Sequence, residues 1–506
     1  MTTNDFADYG GQNSRLRDEA ARGAAWSLMA QWGIRVSGLI TFVILARILA
    51  PEQFGAMALA STLAFVLTLL ADFGFSAYLI QATAPDQRTF STAFWVSVGA
   101  SSSLAVLLVV AAWPLSDFFE APEAAPVIAA LALVVLMDSL RSVPGALLKR
   151  RFQFRALAMQ MLVGNVVGQA VAIALALAGA GVWSLVGQAW TTSLVSVVLI
   201  VRAAPWRPSM EFSPATAVTI ARYGAHVIGA GLAGQLAKWL TNGIASRYLG
   251  LTAVGYLSMS QRITMVAVET VGHASNQFAN SLFSSVKHDA ARLRNAYLSG
   301  QALVGAAAVP LLVVLAINAE LLIPTVLGED WREAVPVFQL LALGGVGHVL
   351  SWTINRPLLL AVGRPEVSMY VTVAYSVTLV LSAWGAAQVG LLAVAAAYAG
   401  SQLFYAPVNV FVTSRTIGLS PGSALWRTGR VLLLAAVAAV PAYVVAETLG
   451  RSLPALVAVA ASVASYTVVY ALLLRLLERS VWDNLVGMAQ SLLRRAKRRD
   501  VSRTAA

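Results

Sequence analysis

Fourteen apolar segments of roughly twenty residues each follow one another through this chain, parted by short polar loops. An α-helix of that length crosses about 30 Å of hydrocarbon, because it rises about 1.5 Å per residue and pairs its own backbone groups where no water can. The segments lie at about 24–46, 54–80, 91–113, 124–140, 157–178, 181–201, 219–246, 252–277, 297–319, 335–354, 367–386, 389–413, 425–446 and 454–474. The composition agrees with them. Hydrophobic residues make up 58% of the chain and charged residues 11%, where a soluble protein carries about 25% charged. The expected fold is an all-α integral membrane protein with 14 transmembrane helices.

Charge orients the spans, since Lys and Arg crowd cytoplasmic loops. One set of alternate loops carries Arg88, then Arg141, Lys149, Arg150, Arg151 and Arg155, then Arg202 and Arg207, then Lys287, Arg292 and Arg294, then Arg356 and Arg364, then Arg415, Arg427 and Arg430. The other set carries Arg47, Arg247, Arg332 and Arg451 together with the acidic groups Asp117, Glu120, Glu123, Glu320, Glu329, Asp330 and Glu333. Both termini are therefore expected in the cytoplasm. The net charge of +12 reads as an orientation signal; no nucleic-acid partner is expected, because the basic residues sit in short loops beside spans. The tail places Trp482, Leu485, Met488, Ala489, Leu492 and Ala496 on one helical side, ahead of Arg494, Arg495, Lys497, Arg498 and Arg499. That pattern fits a helix lying on anionic lipid. The polar N-terminus, up to Gly23, shows no short apolar core with a cleavage site, so the first span is expected to stay as its own insertion signal.

The chain also repeats itself. Ala21, Arg22, Ala25, Ala30, Thr41, Ile44, Arg47, Leu49 and Gly55 face Ala221, Arg222, Ala225, Ala230, Thr241, Ile244, Arg247, Leu249 and Gly255 without a gap. In a second register Glu123-Ala124-Ala125-Pro126-Val127 is echoed by Glu333-Ala334-Val335-Pro336-Val337, and Leu131-Ala132-Leu133 by Leu341-Ala342-Leu343. Six spans separate the two starts, so both copies enter the membrane in the same direction and the repeats are parallel. The expected organisation is a cytoplasmic segment 1–23, an N-lobe 24–201, a linker 202–217, a C-lobe 218–414, two further spans in 415–476 and a basic amphipathic tail 477–506. Two six-helix lobes around a central cavity make a transport pathway; a duplicated scaffold is the bland alternative.

Polar residues inside the spans point the same way. Arg35 lies about eleven residues from either end of its span, roughly 16 Å deep, too deep to snorkel to bulk water. Lys238 has a similar depth in the second copy, with Gln235 and Asn242 on its helical face. The next span carries Ser258, Arg262, Met265, Glu269, Gly272 and Asn276 at helical spacing; Thr68, Asp72 and Ser76 do the same in span two, and Tyr398, Gln402, Tyr405 and Asn409 in span twelve. Charges within spans are by default functional, and buried ion pairing that only locks the bundle, such as Arg262 with Asp72 or Glu269, is the alternative. Three deep cations stand against Asp72, Glu269 and Asp138, of which Asp72 and Asp138 lie near cytoplasmic ends. The surplus suits an anionic lipid diphosphate, which Arg contacts through two bonds at once. His226, His273 and His348 are lone residues on largely apolar helices and read as packing groups. With no Cys and four scattered His, no metal centre and no cofactor are expected.

The run from Gly23-Ala24-Ala25-Trp26 through Leu45-Ala46-Arg47-Ile48-Leu49-Ala50-Pro51-Glu52-Gln53-Phe54-Gly55, followed by Asp72-Phe73-Gly74-Phe75-Ser76, resembles the Wzx-type polysaccharide flippases of the MOP superfamily. Lys149-Arg150-Arg151-Phe152 and Gly181-Val182-Trp183-Ser184-Leu185 are similar to the branch that exports exopolysaccharide or lipopolysaccharide units. The resemblance implies fourteen helices, alternating access, and passage of an undecaprenyl-diphosphate-linked oligosaccharide from the cytoplasmic to the periplasmic leaflet of a bacterial inner membrane. It also implies membrane lipids, a polysaccharide polymerase and export machinery as partners. Arg35, Lys238 and Arg262 would hold the diphosphate, Gln235, Asn242, Tyr398 and Tyr405 would touch sugar, and Asp72 or Glu269 would couple an ion. A multidrug or cation antiporter of the same superfamily would favour carboxylates in the cavity. A polysaccharide polymerase or membrane glycosyltransferase would need larger outer loops than these, and a scramblase or scaffold is a third alternative.

Overall fold

The computed structural model describes residues 29–72, 74–82, 85–286 and 288–487, together with Trp26 and Gln490. All regular structure among them is helical. In chain order the helices are α1 (Met29–Ala46), α2 (Pro51–Asp72), α3 (Phe75–Gln81), α4 (Gln87–Phe118), α5 (Ala125–Arg150), α6 (Phe154–Leu177), α7 (Trp183–Ala203) and α8 (Pro214–Val286). They continue as α9 (Ala290–Ile317), α10 (Ala319–Leu327), α11 (Ala334–Trp352), α12 (Asn355–Ala361), α13 (Pro365–Ala387), α14 (Leu391–Thr416), α15 (Pro421–Gly450) and α16 (Ala455–Leu477). Among the described residues, 12 stretches are long and apolar enough to cross a membrane. The sequence marks many of their starts. Pro51, Pro365 and Pro421 stand in the first turn, where a missing N–H costs nothing. Asp86 and Asp289 cap α4 and α9 through their side chains.

Helix α8 is 73 residues long and is interrupted at Gly250, whose φ of 82° and ψ of 171° only glycine adopts readily. It divides into arms 214–249 and 251–286, which stand where spans seven and eight are expected.

By its internal packing the chain divides into two compact units, Met1–Gly255 and Tyr256–Ala506. The first arm of α8 thus counts with the first unit, although the repeat assigns it to the second copy. The physical reason is that it runs antiparallel along α2, with Gly231 by Leu69 and Asn242 by Thr62, and Leu251 just past its end lies by Gly55. The repeat marks what was copied, and packing marks what is held together. In the first unit α5 also packs on α2, α4 and α7, and α6 pairs with α7; in the second, α11 packs on α9 and α14, α13 on α14, and α15 on α9 and α16.

The second register of the repeat is visible as a burial pattern. From 121 to 133 and from 331 to 343, buried, half-buried and exposed residues follow in the same order at every position. A 3-10 turn precedes the helix in both copies, at Pro122–Ala124 and Glu329–Trp331.

The stretch expected as a linker, 202–217, is sewn onto the start of α4. Ser209 Oγ lies 2.9 Å from Ser91 Oγ, its N–H donates to the same oxygen at 3.0 Å, and Trp95 Nε1 donates to its carbonyl at 2.8 Å. Trp206 donates to Gln87 at 2.7 Å, Gln87 donates in turn to the Arg207 carbonyl at 2.8 Å, and the Trp206 ring packs against Phe90 and Phe94. In the tail, Val481, Trp482 and Leu485 pack against the core of the second unit, and Glu478 pairs with Arg430 at 2.7 Å. The start of the expected lipid-facing helix thus rests on protein. Most of the rest of that helix, the N-terminal segment 1–23, and the side chains of His226, His273 and Asn276 lie outside the described residues.

Candidate functional site

The deep cations keep accessible side chains. Arg35 is half-buried on α1 with its guanidinium 5.8 Å from the Trp32 ring centre. The small residues of the same helix seat it on α6: a Cβ on Gly33 would stand 3.0 Å from Leu162, and one on Gly38 3.7 Å from Gln169. Lys238, on the first arm of α8, is exposed, and Gln235 is half-buried.

Asn242 is placed differently. It is 1% exposed, its Nδ2 donates to Thr62 Oγ1 of α2 at 3.4 Å, and its Oδ1 is buried without a hydrogen bond. Neighbouring Trp239 and Gly243 both meet Phe119, the former edge-on at 5.5 Å. The expected polar stripe thus straddles a seam, with Lys238 outside it and Asn242 within.

On the second arm of α8 the charged members of the stripe are exposed, while Gly272 is buried. Arg262 and Glu269 are exposed and Ser258 and Met265 half-buried, while Leu257, Gln261, Thr264, Ala267 and Val268 are buried. Thr264 lies against Gly345 of α11, and Ala267 and Val268 join the core of the second unit. Arg262 and Glu269 therefore turn away from that core.

The stripe on α14 turns the other way, into the bundle. Gln402, Tyr405 and Asn409 are buried and Tyr398 half-buried. The Tyr405 hydroxyl is 3.0 Å from Thr378 Oγ1, and the Tyr375 ring, itself edge-on to Trp352, meets Tyr405 at 5.6 Å. Gly344 and Gly347 of α11 allow the close approach, since a Cβ on Gly347 would stand 2.6 Å from the Gln402 backbone. Tyr375, Thr378 and Trp352 went unnoticed in the sequence; the i, i+3 spacing of Tyr375 and Thr378 is the one signal that could have found them.

The carboxylates have partners in the first unit. Asp72 accepts hydrogen bonds from Ser76 and Ser142, and Asp138 pairs with Arg141 at 2.9 Å and takes a longer bond from Ser193 at 3.3 Å. Arg247 donates to the Phe118 carbonyl at the end of α4 and stands 3.5 Å from Glu120. Among the described residues no three His, Asp or Glu side chains gather as a metal-binding group.

The chain is all-helical and multi-pass, with a duplicated frame and charged faces on membrane helices, and solved structures share its architecture. The lipid II flippase MurJ in an inward closed conformation superposes with a TM-score of 0.70 over 89% of this chain and 98% of that one, at 12% identity. An inward-facing multidrug resistance transporter of the MATE family, in the MOP superfamily, gives a TM-score of 0.63 over 76% of this chain and 94% of that one, at 17% identity. At such identities the likeness shows the fold. The family model described as "Polysaccharide biosynthesis protein" matches residues 44–336. The chain belongs to that family. Its relatives include the succinoglycan biosynthesis transport protein ExoT of Rhizobium meliloti (strain 1021), 27% identical over 94% of this chain and 96% of that protein. The lipopolysaccharide biosynthesis protein WzxC of Escherichia coli (strain K12) is 25% identical over 70% of this chain and 72% of that protein.

Proposed function

We propose that this protein moves an undecaprenyl-diphosphate-linked oligosaccharide from the cytoplasmic to the periplasmic leaflet of the bacterial inner membrane, for exopolysaccharide or lipopolysaccharide synthesis, by alternating access. Family membership and the names of its relatives support transport in polysaccharide synthesis. One structural observation carries the anionic substrate. Lys238 and Arg262 each lie twelve residues from Gly250, roughly 18 Å along their arms, and both keep exposed side chains there. A charge within a membrane span is by default functional, and a diphosphate supplies four or more acceptor oxygens to Arg in paired geometry and to Lys as a point charge. Arg35 offers a third charge.

In this reading the two arms of α8 are spans seven and eight, which completes fourteen with both termini cytoplasmic. Gln235 and Tyr398, half-buried, contact sugar. Asn242 and Tyr405 act as positioning residues, the first holding α8 on α2 and the second holding α14 on α13. Glu269, exposed on the face of Arg262, is the candidate for ion coupling. The chain performs no bond chemistry.

The test is binding by the purified protein of a short prenyl diphosphate against the matching prenyl alcohol, read as thermal stabilisation. The diphosphate is expected to stabilise the wild type and to stabilise Lys238→Ala and Arg262→Ala less. Equal stabilisation by the alcohol would contradict the reading.

A further inference from the structure

The turn from α5 into α6 needs one residue in the left-handed conformation, and that residue is Phe152, with a φ of 55°. A large side chain is an outlier there, because its Cβ crowds the following carbonyl oxygen, and glycine has no Cβ to do so. The second unit makes the same turn, from α12 into α13, with Gly363 at a φ of 73°. The two turns agree bond for bond at an interval of 211 residues. In the first, the N–H groups of Arg151, Phe152 and Gln153 donate to the carbonyls of Leu147, Lys149 and Leu148 at 3.0, 3.1 and 2.9 Å. In the second, those of Val362, Gly363 and Arg364 donate to Leu358, Leu360 and Leu359 at 3.0, 3.2 and 2.8 Å.

The side chains differ where the backbones agree. Lys149, Arg150, Arg151 and Phe152 stand opposite Leu360, Ala361, Val362 and Gly363. The second turn closes with neither ring nor charge, so the turn itself requires neither. Arg150 is accounted for by the fold, since its Nη1 donates to the carbonyls of Leu79 at 2.7 Å, Ile80 at 3.1 Å and Ala82 at 2.6 Å, at the end of α3. Lys149, Arg151 and Arg155 are exposed, and Phe152 is 54% exposed.

The exposed group stands on a firm base. Leu148 is buried with Ile200 and Ala204 at the end of α7, and Ala156 and Leu157 of α6 pack against them. The Phe152 ring meets Phe154 edge-on at 6.0 Å, and the Arg155 guanidinium lies 5.3 Å from the Trp26 ring centre. A strained backbone held in place by its surroundings, with its side chain turned outward, marks a functional position.

The chain on either side says what the position meets. Helices α5 and α6 are each long and apolar enough to cross a membrane, so the turn between them lies at a membrane surface. Cations beside an apolar ring suit such a surface, where phosphate takes the charge and the ring enters the acyl boundary. No Asp or Glu lies between Asp138 and Glu211, and so no carboxylate in this stretch competes for the cations. We infer that Lys149, Arg151, Phe152 and Arg155 form a binding site for the headgroup of an anionic phospholipid, with the cations on its phosphate and the Phe152 ring against its acyl chains. The site does not depend on which solute the protein carries.

Titration of the full chain in detergent with phosphatidylglycerol or phosphatidylcholine tests it, with bound lipid counted by native mass spectrometry. The wild type is expected to hold phosphatidylglycerol more tightly than phosphatidylcholine. Lys149→Gln and Arg151→Gln should each weaken phosphatidylglycerol about fivefold, the effect of one cation near a lipid surface, and Phe152→Gly about threefold. Arg292→Gln, which takes an exposed cation from another loop, should leave it unchanged. The thermal midpoint of Phe152→Gly without phospholipid is the second readout. It is expected at or above the wild-type value, since glycine relieves the left-handed position. Equal affinity of the wild type for both lipids would overturn the site, as would an equal loss in Arg292→Gln. A lower midpoint in Phe152→Gly would do so too, by making the ring a part of the fold.

Discussion

Gly55 and Gly255, equivalent positions of the 200-residue repeat, lie against each other's helix backbone. A Cβ on Gly55 would stand 1.9 Å from the Leu251 carbonyl oxygen, and a Cβ on Gly255 would stand 2.0 Å from that of Pro51. Pro51 and Leu251 are themselves 200 residues apart, so the contact is reciprocal: each copy presses its glycine on the partner copy's first turn. Neither site has room for a methyl group unless the helices separate. We expect Gly55→Ala and Gly255→Ala each to cost about 1–3 kcal/mol, read from tryptophan fluorescence on thermal unfolding in detergent. The double variant should cost less than the sum, since both changes open one crossing. Wild-type midpoints in both single variants would remove the crossing from the account.

The stitched segment 202–217 makes a second prediction. Arg207 Nη1 donates to the carbonyls of Val201, Ala204 and Trp206, and Trp206 anchors the segment on α4. Trp206→Ala should free the backbone there and speed chymotryptic cleavage after Phe212 by about tenfold, the effect of losing roughly 1.4 kcal/mol of local closure. Cleavage at the wild-type rate would show that the serine contacts hold the segment alone.

Asp86 gives a pH dependence. Its Oδ1 accepts from the Thr89 hydroxyl at 2.6 Å and the Thr89 N–H at 2.8 Å, and these bonds hold its carboxyl below the usual 3.8. A depressed carboxyl contributes stability that is fully present above the unfolded value and is lost as pH falls through the folded one. Protection of the first turn of α4 against hydrogen exchange should thus be level from neutral pH down to about pH 4, then decline below it. Asp86→Ala should lower it throughout. A decline beginning near pH 6 would assign the first turn to another group.

The frame of this protein was legible in its sequence because duplication leaves identities in register. Arg47 with Arg247, Gly55 with Gly255, and the paired runs at 123 and 333 survive in places where packing repeats. Orientation of the polar faces was only half legible. Lys238 and Asn242 are four residues apart and so about 40° apart around the helix, enough to place one outside the α2 seam and the other within it. The inward turn of Tyr405 and the meeting of Asp72 with Ser142 join residues from different helices, and no local spacing encodes such pairs. The segment 202–217 reads as a proline-rich linker because its serine and tryptophan contacts are made with residues more than a hundred positions earlier in the chain.

The most direct measurement is translocation itself. Proteoliposomes carrying a prenyl-diphosphate-linked oligosaccharide on one leaflet are assayed for its appearance on the other, by a membrane-impermeant glycosidase, at matched protein levels. The account predicts transfer by the wild type and a loss of about tenfold or more in Arg35→Ala, Lys238→Ala or Arg262→Ala, each removing a charge-assisted contact worth about 1.5–3 kcal/mol. Wild-type rates in all three variants, or no transfer by the wild type, would contradict it.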